Sequence, residues 1–415
     1  MASDFPDFDE KNFSILRYPP VLYLWFARVA TAIAYQMQAV AVGWQIYEMT
    51  SSPMQLGFVG LMMFIPGVLL LLVVGHVVDR YNRRSIILCA QGVMAAAVAL
   101  LAFTTAADTI TPSLILGTVF MLGAARAFES TTIQTLPPGI VPPLVLPQTI
   151  AGLSSAYQAA TIAGPALGGV LLIAGPSFVY ATCAILFFVS SMFIALIRMR
   201  HVKLAREPVT LKTVFAGIDF VRKNPMVLGP MSLDMFAVIF GGATALLPIF
   251  ARDIFEVGTW GLGVMRAAPA VGAVLVSIVL IRWPIRRHLG RVMYAGVAVF
   301  GLSTIVFGLS TSFPLSIFAL MVIGGSDMLS VVIRQPLIQL ETPDAMRGRV
   351  SAVNALFIGT SNQIGEFESG VTAAWFGTVP AVLIGGIGTL LIVTIWVKAF
   401  PMLYRFDTFE KHYKQ

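Results

Sequence analysis

Apolar runs of about 20 residues recur from residue 21 to residue 400, punctuated by short clusters of charge, Pro or Gly. As helices, such runs are long enough to cross the ~30 Å hydrocarbon core of a bilayer. The pattern predicts twelve spans, at 21–47, 55–78, 85–105, 112–136, 147–174, 177–197, 226–250, 258–281, 292–311, 314–340, 349–375 and 379–398. Between the fifth and sixth only Ala174-Gly175-Pro176-Ser177 interrupts the apolar run. The first 20 residues are acidic and polar, and the first apolar run lacks the short length and cleavage site of a signal peptide, so it reads as a retained helix.

Composition excludes a soluble protein. Of 415 residues 57% are apolar and 11% charged, against about 25% charged in a soluble domain. The formal charge of +7 would suggest nucleic acid only if the basic residues gathered on a water-facing surface. They sit instead in loops between spans, so the expected partner is the lipid bilayer and not nucleic acid. Cys89 and Cys183 both fall inside spans, which supports neither a disulfide framework nor a thiolate site. None of His76, His201, His288 and His412 lies deep in a span, and neither a metal nor a cofactor is expected. With no Gly-x-x-x-x-Gly-Lys-Ser/Thr run, an ATP-driven pump is disfavoured. No grouping of His, Cys and carboxylates near an interface suggests an enzyme.

Lys and Arg concentrate in cytoplasmic loops. Placing both termini in the cytoplasm puts twenty-two of the 27 basic residues in cytoplasmic segments and only Arg252 in an outer loop. The expected location is the inner (plasma) membrane.

The longest interior polar stretch, 198–225, divides the spans six and six. Three regions follow: an N-terminal bundle over 1–198, a cytoplasmic linker over 199–225 and a C-terminal bundle over 226–415. Within the linker Val209, Val214, Phe215, Ile218, Phe220 and Val221 alternate with Lys212, Asp219, Arg222 and Lys223. Two readings are open, an amphipathic helix lying at the cytoplasmic interface and a plain connector. The halves also repeat weakly. A shift of 201 places Gly164 on Gly365 and Gly169 on Gly370, and a shift of 206 places Leu56-Gly57 on Leu262-Gly263. Parallel six-helix repeats with a substrate path between them are a known transporter design.

Three motifs carry a resemblance. After the second span comes Gly75-His-Val-Val-Asp79-Arg80-Tyr-Asn-Arg83-Arg84, similar to the signature loop of the major facilitator superfamily. The fifth span holds Ala160-Thr-Ile-Ala-Gly164-Pro165-Ala-Leu-Gly168-Gly169, which resembles that superfamily's antiporter motif with Ala160 where a glycine is usual. The fourth carries Leu122-x-x-x-Arg126-x-x-Glu129-Ser130, like the motif whose arginine is associated with proton coupling, with glutamate and serine in place of glutamine and glycine. Trp44-Gln-Ile-Tyr47-Glu-Met-Thr50 and Arg347-Gly-Arg-Val-Ser-Ala-Val-Asn354 resemble the enterobactin-exporter branch. The resemblance implies an all-α membrane protein of twelve transmembrane helices in two pseudo-symmetric six-helix bundles. It also implies rocking of the halves around a central site, driven by an ion gradient. Gating would fall to Gly75, Asp79, Arg80, Arg83 and Arg84 and to Gly164, Pro165, Gly168 and Gly169. From the residues alone, the small side chains of the fifth span serve either gating or plain tight packing. Pro165 should bend its helix near the outer end.

Nine ionisable groups remain inside spans: Arg28, Arg126, Arg266, Arg334, Glu129, Asp234, Asp327, Glu366 and Glu368. Each costs at least ~2.5–3.5 kcal/mol at a helix centre unless paired, hydrated or snorkelling, so they are expected to share a wet interior. The repeat shifts set Arg126 opposite Asp327 and Arg28 opposite Asp234, which suggests pairs across a cavity. Alternatively Arg126 pairs locally with Glu129 at i, i+3. Glu129, Asp327, Glu366 and Glu368 are candidates for proton coupling by location. Glu366 points about 200° away from Glu368 on a helix. Glu368 shares the polar stripe of Asn354 and Ser361 and is preferred, whereas Glu366 could pair with Arg266 or bond Asn362. Tyr35, Gln36, Gln38, Gln134, Phe236, Phe240, Asn354 and Phe357 are candidates for an amphipathic substrate pocket.

The leading expectation is a secondary transporter, a proton-coupled exporter of a small amphipathic compound such as a drug or siderophore, acting as a monomer. An uptake permease of the same fold and a non-transporting receptor are the alternatives.

Overall fold

The computed structural model describes residues 18–197 and 211–409. Among them all regular structure is helical and no strand occurs. In chain order the helices are α1 (Pro19–Thr50), α2 (Pro53–Leu69), α3 (Leu71–Arg80), α4 (Arg83–Ala106), α5 (Pro112–Ile133), α6 (Leu146–Leu171), α7 (Pro176–Leu196) and α8 (Leu211–Lys223). They continue as α9 (Pro225–Phe240), α10 (Leu247–Ile249), α11 (Gly258–Arg282), α12 (Leu289–Leu309), α13 (Phe313–Leu340), α14 (Asp344–Phe376), α15 (Thr378–Ala399) and α16 (Pro401–Tyr404).

By length and composition, nine helical stretches of the described residues can cross a membrane, or ten if the bent pair α2 and α3 is one span. This is fewer than the twelve expected. The other two expected spans are α1 and α14, of 32 and 33 residues. Both are long enough, but Arg28, Gln36 and Gln38 on one and Asn354, Glu366 and Glu368 on the other dilute their hydropathy. Large apolar side chains such as Phe103, Ile185, Phe188, Ile281 and Leu391 point outward, as a lipid solvent demands.

Local chemistry sets the helix ends. The Asn82 side chain accepts from the Arg84 N–H to cap α4, Thr111 caps α5, and Asn224 caps α9 with Pro225 at its first position. The narrow join between the fifth and sixth spans is a true break: α6 loosens into a 3-10 turn at Leu172–Ala174, Gly175 turns with φ 105, and Pro176 starts α7. Pro165 lies inside α6, which continues to Leu171.

Two spans expected to be continuous are interrupted. The second bends by 53° between α2 and α3, just after Pro66, which cannot donate to the preceding turn. The seventh ends as α9 at Phe240, then passes through a 3-10 turn at Gly242–Leu246, α10, and a π turn at Phe250–Ile254. A methyl group on Gly242 would lie 2.2 Å from the Gly365 carbonyl oxygen of α14. The chain breaks its helix where its backbone presses on a neighbour.

Two compact units emerge from the contacts: unit 1 is Met1–Gln45 with Ile65–Val209, and unit 2 is Ile46–Phe64 with Thr210–Gln415. These units differ from the expected division at two places: the linker from Thr210 onward groups with unit 2, and so do the end of α1 and the start of α2. Specific contacts hold them there. The Tyr47 hydroxyl donates to the Asp253 carboxylate, Arg252 donates to the Tyr47 carbonyl at 3.3 Å, and the Phe58 and Phe367 rings lie 5.9 Å apart.

A polar pin joins α1, α4 and α7 inside unit 1. The Gln91 amide donates to the hydroxyls of Thr31 (3.1 Å) and Ser190 (2.8 Å), and Ser190 in turn donates to the Ala27 carbonyl. In unit 2, α13 crosses α11 at glycines: a methyl on Gly272 would sit 1.8 Å from the Met321 carbonyl oxygen. Described residues of the linker form α8, whose Ile218, Phe220 and Val221 pack with Val227, Ile338, Val350 and Val353. Its side bearing these residues rests on protein, while Phe215 is exposed. Residues 198–210, with Val209 and His201, and the termini bearing Lys11, Arg17, Lys411, His412 and Lys414 lie outside the described residues.

Candidate functional site

Unit 1 gathers its intramembrane charges at one place. Arg126 on α5 holds its guanidinium over the Tyr35 ring of α1, 3.4 Å from the centroid, and Arg28 lies over Tyr157 of α6 at 5.4 Å. Glu129, one turn from Arg126, is buried and interacts electrostatically with both arginines. Arg126 and Glu129 thus act on one another electrostatically at i, i+3 without a direct ion pair among the described residues, in a group of five residues on three helices. Two guanidinium groups against one carboxylate leave a single net positive charge beside two phenol rings, chemistry suited to aromatic or anionic groups. Tyr157 was missed by sequence reading. The signal available was its place on the face of α6 that also carries Gly164 and Gly168 at helical spacing.

Unit 2 holds a second group. Arg334 of α13 forms an ion pair with Asp234 of α9, and both side chains are buried. Asp234, expected opposite Arg28, thus has its partner within its own unit. Two turns before Arg334 on the same helix stands Asp327, which lines a narrow cavity with Asp234, Ser326 and Ser330. The expected neighbour of Asp327 was Arg126, whereas the observed surroundings are carboxylate, hydroxyl and apolar.

On α14 the two glutamates part as helical geometry requires. Glu366 faces Arg266 of α11, and a methyl on Gly60 of α2 would meet its Cβ at 2.8 Å. Asn362 donates instead to the Ile358 carbonyl of its own helix. Glu368 accepts from the Thr372 hydroxyl at 2.8 Å. Its stripe-mate Asn354 is buried, as is Ser361.

In the loop after α3 the acid and the bases have different surroundings. Asp79 is exposed and makes no ion pair among the described residues. Arg83 donates to the Thr135 carbonyl at 3.2 Å and Arg84 to the Ala195 carbonyl. The arginines thus satisfy carbonyls at the ends of α5 and α7, where helix dipoles favour cations. Arg80 is exposed at the end of α3, and Gly75 is partly buried on the same helix. In α6 the glycines serve contact. A methyl on Gly164 would sit 2.6 Å from the Gln36 Cβ, and one on Gly168 3.0 Å from the Met37 Cα. Pro165 and Gly169 are buried in the same helix.

The pocket candidates separate by surroundings. Tyr35 lies under Arg126, Gln36 packs on Gly164, and Gln38 is buried with its Oε1 lacking a hydrogen-bond donor. Gln134 is exposed at the end of α5. Phe236 packs edge-on against Trp396 at 5.3 Å, Phe240 against Gly388 of α15, and Phe357 beside the Val350 and Val353 cluster. All three phenylalanines are partly buried and pack within unit 2.

Comparison with known proteins agrees with this architecture. The family model described as transmembrane secretion effector matches residues 11–411. The enterobactin exporter EntS of Escherichia coli O81 (strain ED1a) is 25% identical over 410 residues, covering 95% of each chain, and that of Shigella boydii serotype 18 gives the same figures. Among solved structures, a point mutant of the nucleoside transporter NupG superposes with a TM-score of 0.73 at 13% identity, covering 92% of this chain and 100% of that one. A bacterial homologue of the iron transporter ferroportin in an inward-facing state gives 0.71 at 15% identity, covering 93% and 99%. Those likenesses show the fold. This multi-pass membrane protein, a transporter that handles a small-molecule substrate, belongs to the transmembrane secretion effector family of the major facilitator superfamily.

Proposed function

We propose that the chain is a proton-coupled exporter of a small amphipathic compound, a siderophore or drug-like molecule, working by alternating access. It acts as a single chain in the inner (plasma) membrane with both termini cytoplasmic. The observation that carries this reading is similarity to an enterobactin exporter along 95% of both chains. The unit 1 cluster supports it, because two arginines stacked on tyrosines suit a compound with aromatic and acidic groups. Glu129 is the favoured coupling carboxylate in unit 1. Its proton occupancy follows how firmly Arg126 and Arg28 engage it, so that an anionic compound competing for the arginines, and water reaching the site from one side and then the other as the halves rock, load and unload the proton. Glu368 and Glu366 are the further candidates.

The test is a proteoliposome proton-flux screen over amphipathic compounds that include enterobactin. Proton movement that depends on a compound and is lost in Glu129→Gln supports the reading. Compound movement with no accompanying proton flux counts against it.

A further inference from the structure

Unit 2 contains a narrow, partly open cavity near the middle of α13, bounded by α9, α12 and α13. Its free centre has room for about one water-sized occupant. Asp234, Ser326, Asp327 and Ser330 contribute oxygen to its wall, and Val297 and Phe300 close the apolar side. Two carboxylates against the one guanidinium of Arg334 leave one uncompensated negative charge in mid-span. Other basic groups on the packed helices do not line the cavity: Arg266 faces Glu366, Arg282 ends α11, and Arg291 lies over Tyr404.

The hydroxyls add an independent observation. Ser326 and Ser330 are 7% and 3% exposed, and neither has a hydrogen-bond partner among the described residues. Buried hydroxyls in these helices ordinarily bond the carbonyl one turn back, as Ser232, Thr304 and Thr389 do. Two free hydroxyls and a carboxylate without an ion pair therefore face one small space.

We propose that this cavity binds one dehydrated alkali cation of about sodium size, held by Asp327, Ser326 and Ser330 beside the fixed Asp234–Arg334 pair. A hard cation takes oxygen ligands of this kind. Charge selects a monovalent ion, since a divalent one would leave an excess positive charge in a low-dielectric site next to Arg334. A proton on Asp327 would cancel the same charge but supplies one donor only, and it would not draw the remaining oxygens to a common partner. The site stands beside the transport reading and does not depend on it, because binding is measured without transport.

Purified full-length protein in detergent is melted at fixed pH and ionic strength in NaCl, KCl or choline chloride, with equilibrium binding of radioactive sodium in parallel. NaCl should raise Tm saturably over choline chloride. Asp327→Asn should abolish the shift, and Ser330→Ala should weaken sodium binding about tenfold, roughly the loss of one good ligand contact. Ser277→Ala, whose hydroxyl bonds the Ala273 carbonyl, should bind sodium as the parent does. Equal melting in NaCl and choline chloride with no sodium bound would overturn the site, as would stabilisation by divalent ions alone. So would a Ser330→Ala protein that binds sodium unchanged.

Discussion

Arg126 and Tyr35 form a face-on pair across α5 and α1, with the guanidinium carbon 3.4 Å from the ring centroid. A cation over an aromatic face is worth roughly 0.5–2 kcal/mol, depending on desolvation. Tyr35→Leu should therefore slow transport of the compound that the proteoliposome screen identifies about 2- to 30-fold, while Tyr35→Phe, which keeps the ring, stays near the parent rate. Initial rates in proteoliposomes distinguish the two. Equal loss in both variants would place the effect in the hydroxyl.

The ion pair of Asp234 with Arg334 is buried on both sides. Breaking such a pair by removing one member costs about 3–5 kcal/mol, because the other charge is left unpaired, whereas replacing both by apolar groups is far milder. Asp234→Asn should lower Tm markedly. The double variant Asp234→Leu with Arg334→Met should recover most of the loss. A double-mutant cycle by thermal melting in detergent reads the coupling, and additive losses would show that the pair contributes little.

Gln91 donates to Thr31 and Ser190 and accepts from Ser191 at 3.2 Å. Gln91→Leu leaves buried hydroxyls short of partners and should cost about 1–3 kcal/mol of stability. The loss appears as a lower Tm with the transport rate preserved at permissive temperature. A rate that fell without a change in Tm would assign Gln91 to the transport path.

Close backbone contacts predict which glycines tolerate a methyl group. Gly242→Ala would drive a Cβ to 2.2 Å from the Gly365 carbonyl oxygen, whereas nothing lies within 4 Å of a methyl on Gly67 or Gly359. The first should destabilise by about 1–3 kcal/mol or more, as overpacking does. The other two should be near neutral, apart from a small gain in helix propensity. Yields of folded protein by size-exclusion chromatography check the contrast, and a well-behaved Gly242→Ala protein would refute the contact.

Apolar runs, caps and Gly-Pro breaks made most helices legible, down to Gly175-Pro176. The interruption at Gly241-Gly242 was not, because it comes from α14 and α15 pressing on that backbone and leaves no local polar signal. Intramembrane charges were found from residue type alone, since each is costly in lipid. Their partners were found only when close in sequence, as with Arg126 and Glu129. Asp234 with Arg334 spans 100 residues, and repeat symmetry pointed elsewhere. Asp327, Ser330 and Arg334 share one helical face at i, i+3 and i+7, a readable pattern that charge counting passed over.

Exchange of a substrate against protons is tested most directly in everted membrane vesicles given an acidic lumen, following lumenal pH together with entry of the compound identified in the proteoliposome screen. That compound should accumulate against its gradient while the lumen turns alkaline, and both signals should vanish in Glu129→Gln. Entry that continues after the pH gradient is collapsed, or compound leaving the lumen instead of filling it, would contradict proton-coupled export.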